Sequence, residues 1–374
     1  MRILHVSDTY GPTLGGIELH VRDLARHQRL TDEATVATLT PDHHSPVLGG
    51  GGADVVRLPR LGRVPRPAAL RSLRGLVSSG DVDVVHAHTS MVSPLAWAAA
   101  AAGARAEVPT VVTLHSMLPD GLAGRVVRGI VPQVPATITC TAVSTAAATS
   151  LRRVLRGHEV TVLPNGIDPT DWAPRPGRAS GSTDQLTVVS TMRTTARKRP
   201  LALLRILQAV RAGVAGDVRL RAVIAGDGPL DGMIRRELDT SGLGRWVTHA
   251  GRLGRDEIRD LLGQADLYLA PARLESFGIA ALEARSAGLP VIGMAGSGLA
   301  DYLRDGQDGF LVETDEEMAA RAIHLLSAPS ALRAMQRHNR EHPPHTSWAQ
   351  VLELHRDVYA AAGASVHRSA RARA

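Results

Sequence analysis

The sequence predicts an α/β protein made of two doubly wound, Rossmann-like domains with an interdomain cleft. Three observations predict it. Short apolar runs of strand length alternate with longer amphipathic runs along most of the 374 residues, the order that yields a parallel sheet covered on both faces. At about 100–200 residues per domain, that length calls for two or three cores. A stretch rich in Pro, Gly and Ser, Ala173–Asp184, has no apolar period and interrupts the alternation near its middle.

The chain opens on an apolar run, Arg2–Ser7, read as a buried strand. Ile17–Arg29 has helical spacing. Thr35–Leu39, Val55–Leu58, Val82–His86, Thr110–Leu114, Thr137–Ala142 and Val160–Leu163 read as strands, and Pro94–Ala104 and Ala146–Leu155 as helices. Pro67 can open a short helix on which Leu70, Leu73 and Val77 share one face beside Arg71 and Arg74. Beyond the interruption come strand Leu186–Ser190, helix Leu201–Arg211, strand Leu220–Ala225, helix Leu230–Thr240, strand Val247–Ala250 and helix Asp256–Gln264. Strand Leu267–Leu269, helix Phe277–Ser286 and strand Val291–Gly293 follow. A last helix, Trp348–Ala361, lies after a polar stretch, and His367–Ala374 is expected to fray. The boundaries implied are a domain at 1–172, a linker at 173–184, a domain at 185–345, a helix at 346–362 and a tail at 363–374. Ligands of open α/β sheets bind outside the carboxyl ends of the strands, so functional residues are expected in the loops that leave strands.

Composition narrows the function. Hydrophobic residues make up 44% and charged residues 21%, which excludes a disordered chain. The single cysteine, Cys140, excludes an intramolecular disulfide and a cysteine zinc cluster and fits a reducing compartment. The opening MRILHVSD reaches Asp8 too early for a signal-peptide apolar stretch. The uncharged run Val84–Ala104 holds two His and a Pro and is a poor membrane span. A cytoplasmic protein is expected. A net charge of +7 calls for an anionic partner. The ten aromatic residues are scattered, and no zinc-finger or RRM signature occurs, so nucleic acid is not expected. Between Val55 and His158, twelve arginines face four acids. An anionic membrane surface is therefore a candidate partner, with peripheral attachment through the Pro67 helix on the inner face of the cell membrane.

Three motifs carry chemistry. Gly15-Gly16-Ile17-Glu18 stands between the first strand and the first helix, where adjacent glycines let backbone amides approach an anion. Arg193 and Lys198, the only lysine, lie in the loop after Leu186–Ser190 and could grip a diphosphate. Glu275-Ser276-Phe277-Gly278-Ile279 leads into a helix that carries Glu283. With Ser276 as N-cap, the amides of Phe277, Gly278 and Ile279 are expected as donors at the positive helix end. Glu283 would then lie about 9 Å further along the axis. Taken alone, each motif also has a structural reading: a Gly-Gly turn, a solvated basic loop, a capped amphipathic helix. His86 and His88 share a face and read as structural; His20 fits either core or cleft; Asn165 and Asp168 read as turn-shaping.

Glu275-x₇-Glu283 around Ser-Phe-Gly resembles the signature of the retaining GT-B glycosyltransferases of family 4, typified by bacterial mannosyl- and glucosyltransferases. The resemblance spans nearly the whole chain, through Gly15-Gly16-x-Glu18, Asp83-Val84-Val85-His86-Ala87-His88, Thr113-Leu114-His115 and Pro164-Asn165-Gly166-Ile167-Asp168. It continues through Arg193…Lys198, Ala225-Gly226-Asp227-Gly228-Pro229, Ala287-Gly288-Leu289-Pro290-Val291 and the closing Trp348…Tyr359 helix, which in the family crosses back to the N-terminal domain. It implies a GT-B fold and transfer of a sugar from a nucleoside-diphosphate sugar to an acceptor hydroxyl, with the anomeric configuration kept and neither metal nor cofactor needed. The acceptor is expected to be a lipid, a lipid-linked glycan or a small molecule. By the same resemblance the Gly15–Gly16 backbone approaches the donor diphosphate, and Arg193 and Lys198 neutralise it as it leaves. Glu283 takes the ribose hydroxyls, Glu275 and the Phe277–Ile279 backbone hold the sugar, and Leu253 packs on the base. His115 lies near the anomeric carbon. Two positions depart from the family: Met192 replaces a glycine before Arg193, and Arg199 replaces a glycine or asparagine after Lys198.

Other readings are weaker. A glycoside hydrolase would use Glu275 and Glu283 as its carboxylate pair but has no role for Arg193 and Lys198. A nucleotide-sugar 2-epimerase or a non-catalytic nucleotide-sugar-binding protein could share the fold. A phosphorylase needs a pyridoxal lysine, and Lys198 already has a phosphate role. The one Asp-x-Asp, Asp81-Val82-Asp83, enters a strand instead of leaving one, so it is expected away from the ligand end of its sheet.

Overall fold

Each neighbouring pair of strands in the two large sheets runs parallel. The computed structural model describes residues 1–12, 15–41, 54–62, 64–90, 92–118, 134–155, 158–174 and 185–373, and these form two units, 1–166 with 348–374 and 167–347.

In the first unit the elements are β1 (Arg2–Ser7), α1 (Gly16–Gln28), β2 (Glu33–Thr38), β3 (Asp54–Arg57), a short ribbon of β4 (Arg60–Leu61) and β5 (Val64–Pro65), and α2 (Pro67–Val77). Then come β6 (Val84–Thr89), α3 (Pro94–Arg105), β7 (Thr110–Leu114), β8 (Ile138–Ala142), α4 (Thr145–Arg152) and β9 (Val160–Val162). The sheet order is β3-β2-β1-β6-β7-β8-β9. Strands covered on both faces bury every residue, as β6 and β7 do. Leu4, Val6 and Val85 meet Leu73, Val77 and Leu95 on one face. The alternate residues Ile3, Val84 and Val111 meet Val358, Tyr359 and Ala362 of the closing helix on the other.

In the second unit they are α5 (Pro169–Trp172), β10 (Gln185–Thr191), α6 (Pro200–Gly213), β11 (Arg219–Ala225), α7 (Asp231–Thr240), β12 (Val247–Gly251) and α8 (Arg255–Gly263). There follow β13 (Leu267–Ala270), α9 (Ile279–Ser286), β14 (Val291–Met294), β15 (Gly309–Val312), α10 (Asp315–Ser327) and α11 (Pro329–Glu341). The order β12-β11-β10-β13-β14-β15 reverses its winding between β10 and β13, the switch point where such sheets open a crevice. The closing helix, α12 (Trp348–Arg373), belongs to the first unit. Among the described residues no helix is long and apolar enough to cross a membrane.

Several expectations change. The α2 helix turns Ala69, Leu73 and Val77 into the core, so the apolar face expected to lie in a headgroup layer is packed on the sheet. The tail expected to fray after His367 is helical through Arg373. Strand β6 begins at Val84, two residues late, and runs on to Thr89. Asp83 stops it from starting earlier, because its carboxylate takes the Arg2 amide (2.7 Å) and guanidinium (2.9 Å). Arg2 also holds Asp81, so the Asp-x-Asp motif sits at the amino-terminal edge of the sheet. The unit boundary falls at 166/167 and not at 172/173: Trp172 is buried, with the Arg255 guanidinium 5.3 Å from its ring centre. Residues 175–184 of the expected linker lie outside the described residues.

In the second unit a fully buried carboxylate ties β15 to α9 and α11. Asp308 meets Arg285 at 2.9 Å, Arg304 at 3.1 Å and His338 at 3.2 Å. Burial acts to raise its pKa, but the hydrogen bonds from Arg304 and Arg285 outweigh it and hold the group down to about 2. A carboxylate lowered below its ordinary 3.8 stabilises the fold above that pH and loses the contribution as pH falls towards 2. Asp308→Asn is expected to cost about 3–5 kcal/mol, because Arg285 is left buried without its counter-charge, and to flatten the acid limb of a urea-unfolding series. A cost below about 1 kcal/mol, the worth of an exposed pair, would show that the ion pair does not hold this corner.

Candidate active site

Loops leaving β10, β11, β12 and β13 are knitted together at the carboxyl edge of the second sheet. The Thr194 amide reaches the Asp227 carbonyl at 3.0 Å, and the Gly226 amide reaches that of Gly251 at 2.7 Å. Gly226 has φ +126, and a Cβ there would run into the Met192 carbonyl oxygen. Met192 itself keeps a negative φ, so the side chain that replaces the family's glycine is accommodated. Arg252, beside the half-buried Leu253, pairs with Asp227 at 2.6 Å.

Three consecutive cations bind the loop after β13. The Arg197 Nε donates to the Leu274 carbonyl at 3.1 Å, and Lys198 Nζ pairs with the Glu275 carboxylate. Arg199 donates to the Pro271 carbonyl at 2.9 Å and grips Asp315 with both terminal nitrogens, at 2.9 and 2.7 Å. Arg199 has φ +58, the left-handed region that glycine and asparagine enter most easily. A larger residue pays about 1–2 kcal/mol there, offset here by the bidentate pair with Asp315. The second departure from the family is thus explained by a local compensation. Arg193 is exposed.

The helix carrying Glu283 starts later than expected. Its N-cap is Gly278, at φ +86, and not Ser276; the first helical residue is Ile279. Phe277 is buried against the Tyr302 ring, 5.3 Å away, the Tyr302 hydroxyl donates to the Gly278 carbonyl at 2.8 Å, and the Gly298 amide donates to the Glu275 carbonyl at 2.8 Å. These contacts fix 275–278 as a turn. Gly278 has no side chain to cap α9, and the amides from Ile279 onward lie at its positive end. Glu283 lies one turn in, about 6 Å along the axis from Ile279. Burial first, then the Glu275 charge, holds the Tyr302 hydroxyl well above its ordinary range. The structure thus brings Lys198 to Glu275 at the switch point, with Phe277, Gly278, Ile279 and Glu283 on the segment that follows Glu275.

His115, Gly15 and Gly16 belong to the first unit. Gly15 caps α1 in extended backbone, and a Cβ on it would meet the carboxylate of the buried Glu18. An acidic group therefore already stands at the expected anion cradle. Asp168 caps α5 by accepting from the Thr170 amide at 3.0 Å, the turn-shaping role expected of it. Buried His115 follows β7, and its Nε2 lies 2.9 Å from His88 Nδ1. Burial pushes His115 down to about 3 and His5 to about 4, so both are neutral at pH 7. His5, His86 and His88 bring ligating atoms within 4.8 Å of one another. All six of their ring nitrogens, however, are engaged by protein groups, which argues against a cation there. Sequence reasoning missed His5, Gln28 and Tyr359 as neighbours of this cluster. The usable signal was the register, since His5 in β1 faces His86 in β6.

Residues 14–171 match the family model described as Glycosyltransferase Family 4, and residues 178–342 match that of Glycosyl transferases group 1. A phosphatidyl-myo-inositol mannosyltransferase of Mycolicibacterium smegmatis is 30% identical over 83% of this chain and 81% of its own length. The gpi3 subunit of a phosphatidylinositol N-acetylglucosaminyltransferase of Schizosaccharomyces pombe is 28% identical over 84% of this chain and 70% of its own length. Among solved structures, Anabaena Alr3699/HepE in complex with UDP and glucose superposes with a TM-score of 0.77 at 20% identity, covering 96% of this chain and 99% of that one.

Gly278→Ala is expected to lose about 1–2 kcal/mol from the left-handed backbone alone. The added Cβ would also lie 2.7 Å from the Leu299 side chain. Urea unfolding reads the loss; an unchanged midpoint would mean that the turn before α9 is not built as described.

Proposed function

The chain belongs to glycosyltransferase family 4 and has the GT-B fold, and from that premise we propose that it moves a hexose from a nucleoside-diphosphate sugar to the hydroxyl of a lipid-borne polyol, with retention at the anomeric carbon. The observation that carries this reading is the Lys198–Glu275 pair at the switch point, beside the start of α9 at Gly278. A diphosphate needs cations and amides, a sugar needs a carboxylate acceptor, and all three meet here.

On binding, Lys198 exchanges the Glu275 carboxylate for phosphate oxygens, and exposed Arg193 joins it. Glu275, released, accepts from sugar hydroxyls, Glu283 accepts from the ribose, and Leu253 packs on the base. The bond between the anomeric carbon and the phosphate oxygen breaks. The negative charge left on the diphosphate is stabilised by Lys198, Arg193 and the α9 amides. The acceptor hydroxyl attacks the oxocarbenium-like carbon from the face the phosphate is leaving, and a phosphate oxygen takes its proton. Charge neutralisation by two cations leaves no step that requires a divalent metal.

The inositol lipids in the relatives' names support a lipid acceptor. With the apolar face of α2 in the core, attachment to an anionic membrane rests on exposed Arg66, Arg71 and Arg74. The neighbouring ribbon adds Leu61 and Val64, 70% and 59% exposed. Each basic residue near such a surface is worth about 1 kcal/mol.

Lys198→Ala and Glu283→Ala are expected to keep the fold and lose on the order of 10²–10³ in transfer rate, measured with labelled UDP- and GDP-hexoses and phosphatidylinositol vesicles. Wild-type activity is expected to survive EDTA. Near-normal rates in both variants would sink the donor-site assignment, and loss in EDTA restored by Mg²⁺ the metal-free mechanism. In co-sedimentation at low salt, anionic vesicles are expected to retain the wild type and to release the R71E/R74E variant. Equal binding to neutral vesicles would contradict charge-driven attachment.

A further inference from the structure

Arg193 and Lys198 stand on one loop, but they are anchored to different parts of the second unit. Arg197 and Arg199, on either side of Lys198, hold it to the Leu274 and Pro271 carbonyls after β13 and to Asp315. Arg193 is exposed, and its place is set by its chain neighbours. The Met192 amide donates to the Ala225 carbonyl at 2.9 Å, and the Thr195 amide donates to the Arg193 carbonyl at 2.8 Å. Between them Thr194 is fully buried, and each of its polar groups is used. Its amide donates to the Asp227 carbonyl at 3.0 Å, and its carbonyl accepts from the Leu230 amide at 3.0 Å. Its hydroxyl donates to Asp231 Oδ1.

Asp231 is the first residue of α7, where the helix dipole favours a carboxylate. Burial acts to raise its pKa, but hydrogen bonds from the Thr194 hydroxyl and the Gly228 amide outweigh it, so the group is charged at pH 7. The same Oδ1 lies 3.7 Å from Nε2 of His249 in β12, whose side chain is buried. That nitrogen also lies 3.1 Å from the Gly226 carbonyl oxygen. A carbonyl only accepts, so His249 Nε2 carries a proton. The loops leaving β10 and β11 and the end of β12 thus close on one carboxylate. A hydroxyl bound to a carboxylate makes a bond about twice as strong as a neutral one, so the Thr194 side chain is the firmest of the three holds on its residue. A long side chain recognises a fixed group only from a fixed Cα, and about 1 Å of misplacement can cost 10²-fold in rate.

We propose that Thr194 and Asp231 are positioning residues for Arg193, pinning its backbone to the start of α7 and leaving Lys198 to its own anchors. The pin follows from contacts within this unit. Its use rests on the transferase reading above, in which Arg193 meets the donor diphosphate.

Valine in place of Thr194 keeps the shape and drops the hydroxyl; serine keeps the hydroxyl and drops the methyl group. Asp231 is 25% exposed, so water replaces the lost donor in Thr194→Val and the fold survives. Amide hydrogen exchange on the full chain tests the pin without any ligand. In Thr194→Val the amides of Thr194 and Thr195 are expected to exchange about tenfold faster, the worth of one hydrogen bond. Those of β10 should be unchanged, and Thr194→Ser should match wild type. Equal exchange in Thr194→Val and wild type would overturn the pin.

Calorimetric affinities for UDP and GDP test its use. Thr194→Val is expected to weaken the nucleotide that binds by about tenfold, and Thr194→Ser to restore it. The loss should vanish in an Arg193→Ala background and persist in Lys198→Ala, because groups that act together couple and separately held ones add. Wild-type affinity in Thr194→Val, or the same loss in both backgrounds, would overturn the positioning role. Wild-type affinity in Arg193→Ala, or no binding of either nucleotide by wild type, would instead overturn the donor-site reading and leave the pin standing.

Discussion

Lys198 and Glu275 face each other across the line where the second sheet reverses its winding, and the loops of that unit are organised around keeping them there. The pair is only partly buried, with side-chain exposures of 32% and 16%. A pair in that setting is worth far less than a buried one and can be exchanged. A diphosphate brings more negative charge than the carboxylate it would displace, and it would meet the α9 amides as well. The neighbouring cations are committed elsewhere: Arg199 to Asp315 and Arg197 to the Leu274 carbonyl. They hold the two loops in register while Lys198 is able to change partners. That division of labour gives a reason for a strained arginine at position 199.

Much of the fold was legible because parallel strands announce themselves as short apolar runs. Arg2–Ser7 and Thr110–Leu114 emerge with the expected bounds. The residues 309–341 were not assigned, although α10 has a readable start: Thr314 accepts from the Glu317 amide, and three acids fill the first turn. The start of α9 could not be read correctly from local rules, because Ser276 is a better N-cap by type than Gly278. The decision is made by tertiary contacts from Tyr302 and Gly298, more than twenty residues away, which no local pattern contains.

In the first unit the same limit acts on side-chain direction. The leucines and arginines of α2 suggest an amphipathic surface helix, and the helix exists with its apolar face where the sheet needs it. The histidines of β6 read as structural, and they are buried. Their joint meaning depends on Gln28 and Tyr359, brought in from the end of α1 and from α12 by packing that the sequence does not spell out. Residue types were visible in the sequence; the wiring between them required the register of β1 on β6.

The central claim is that the Lys198–Glu275 junction is a nucleoside-diphosphate site, and thermal unfolding with UDP and GDP tests it most directly. A ligand that binds only the folded chain stabilises it by about 2.7 kcal/mol at a hundred times its Kd. The account predicts a concentration-dependent rise in melting temperature with at least one of the two nucleotides in wild type, and a much smaller rise in Lys198→Ala at equal concentration. No rise with either nucleotide, or the same rise in wild type and Lys198→Ala, would contradict it.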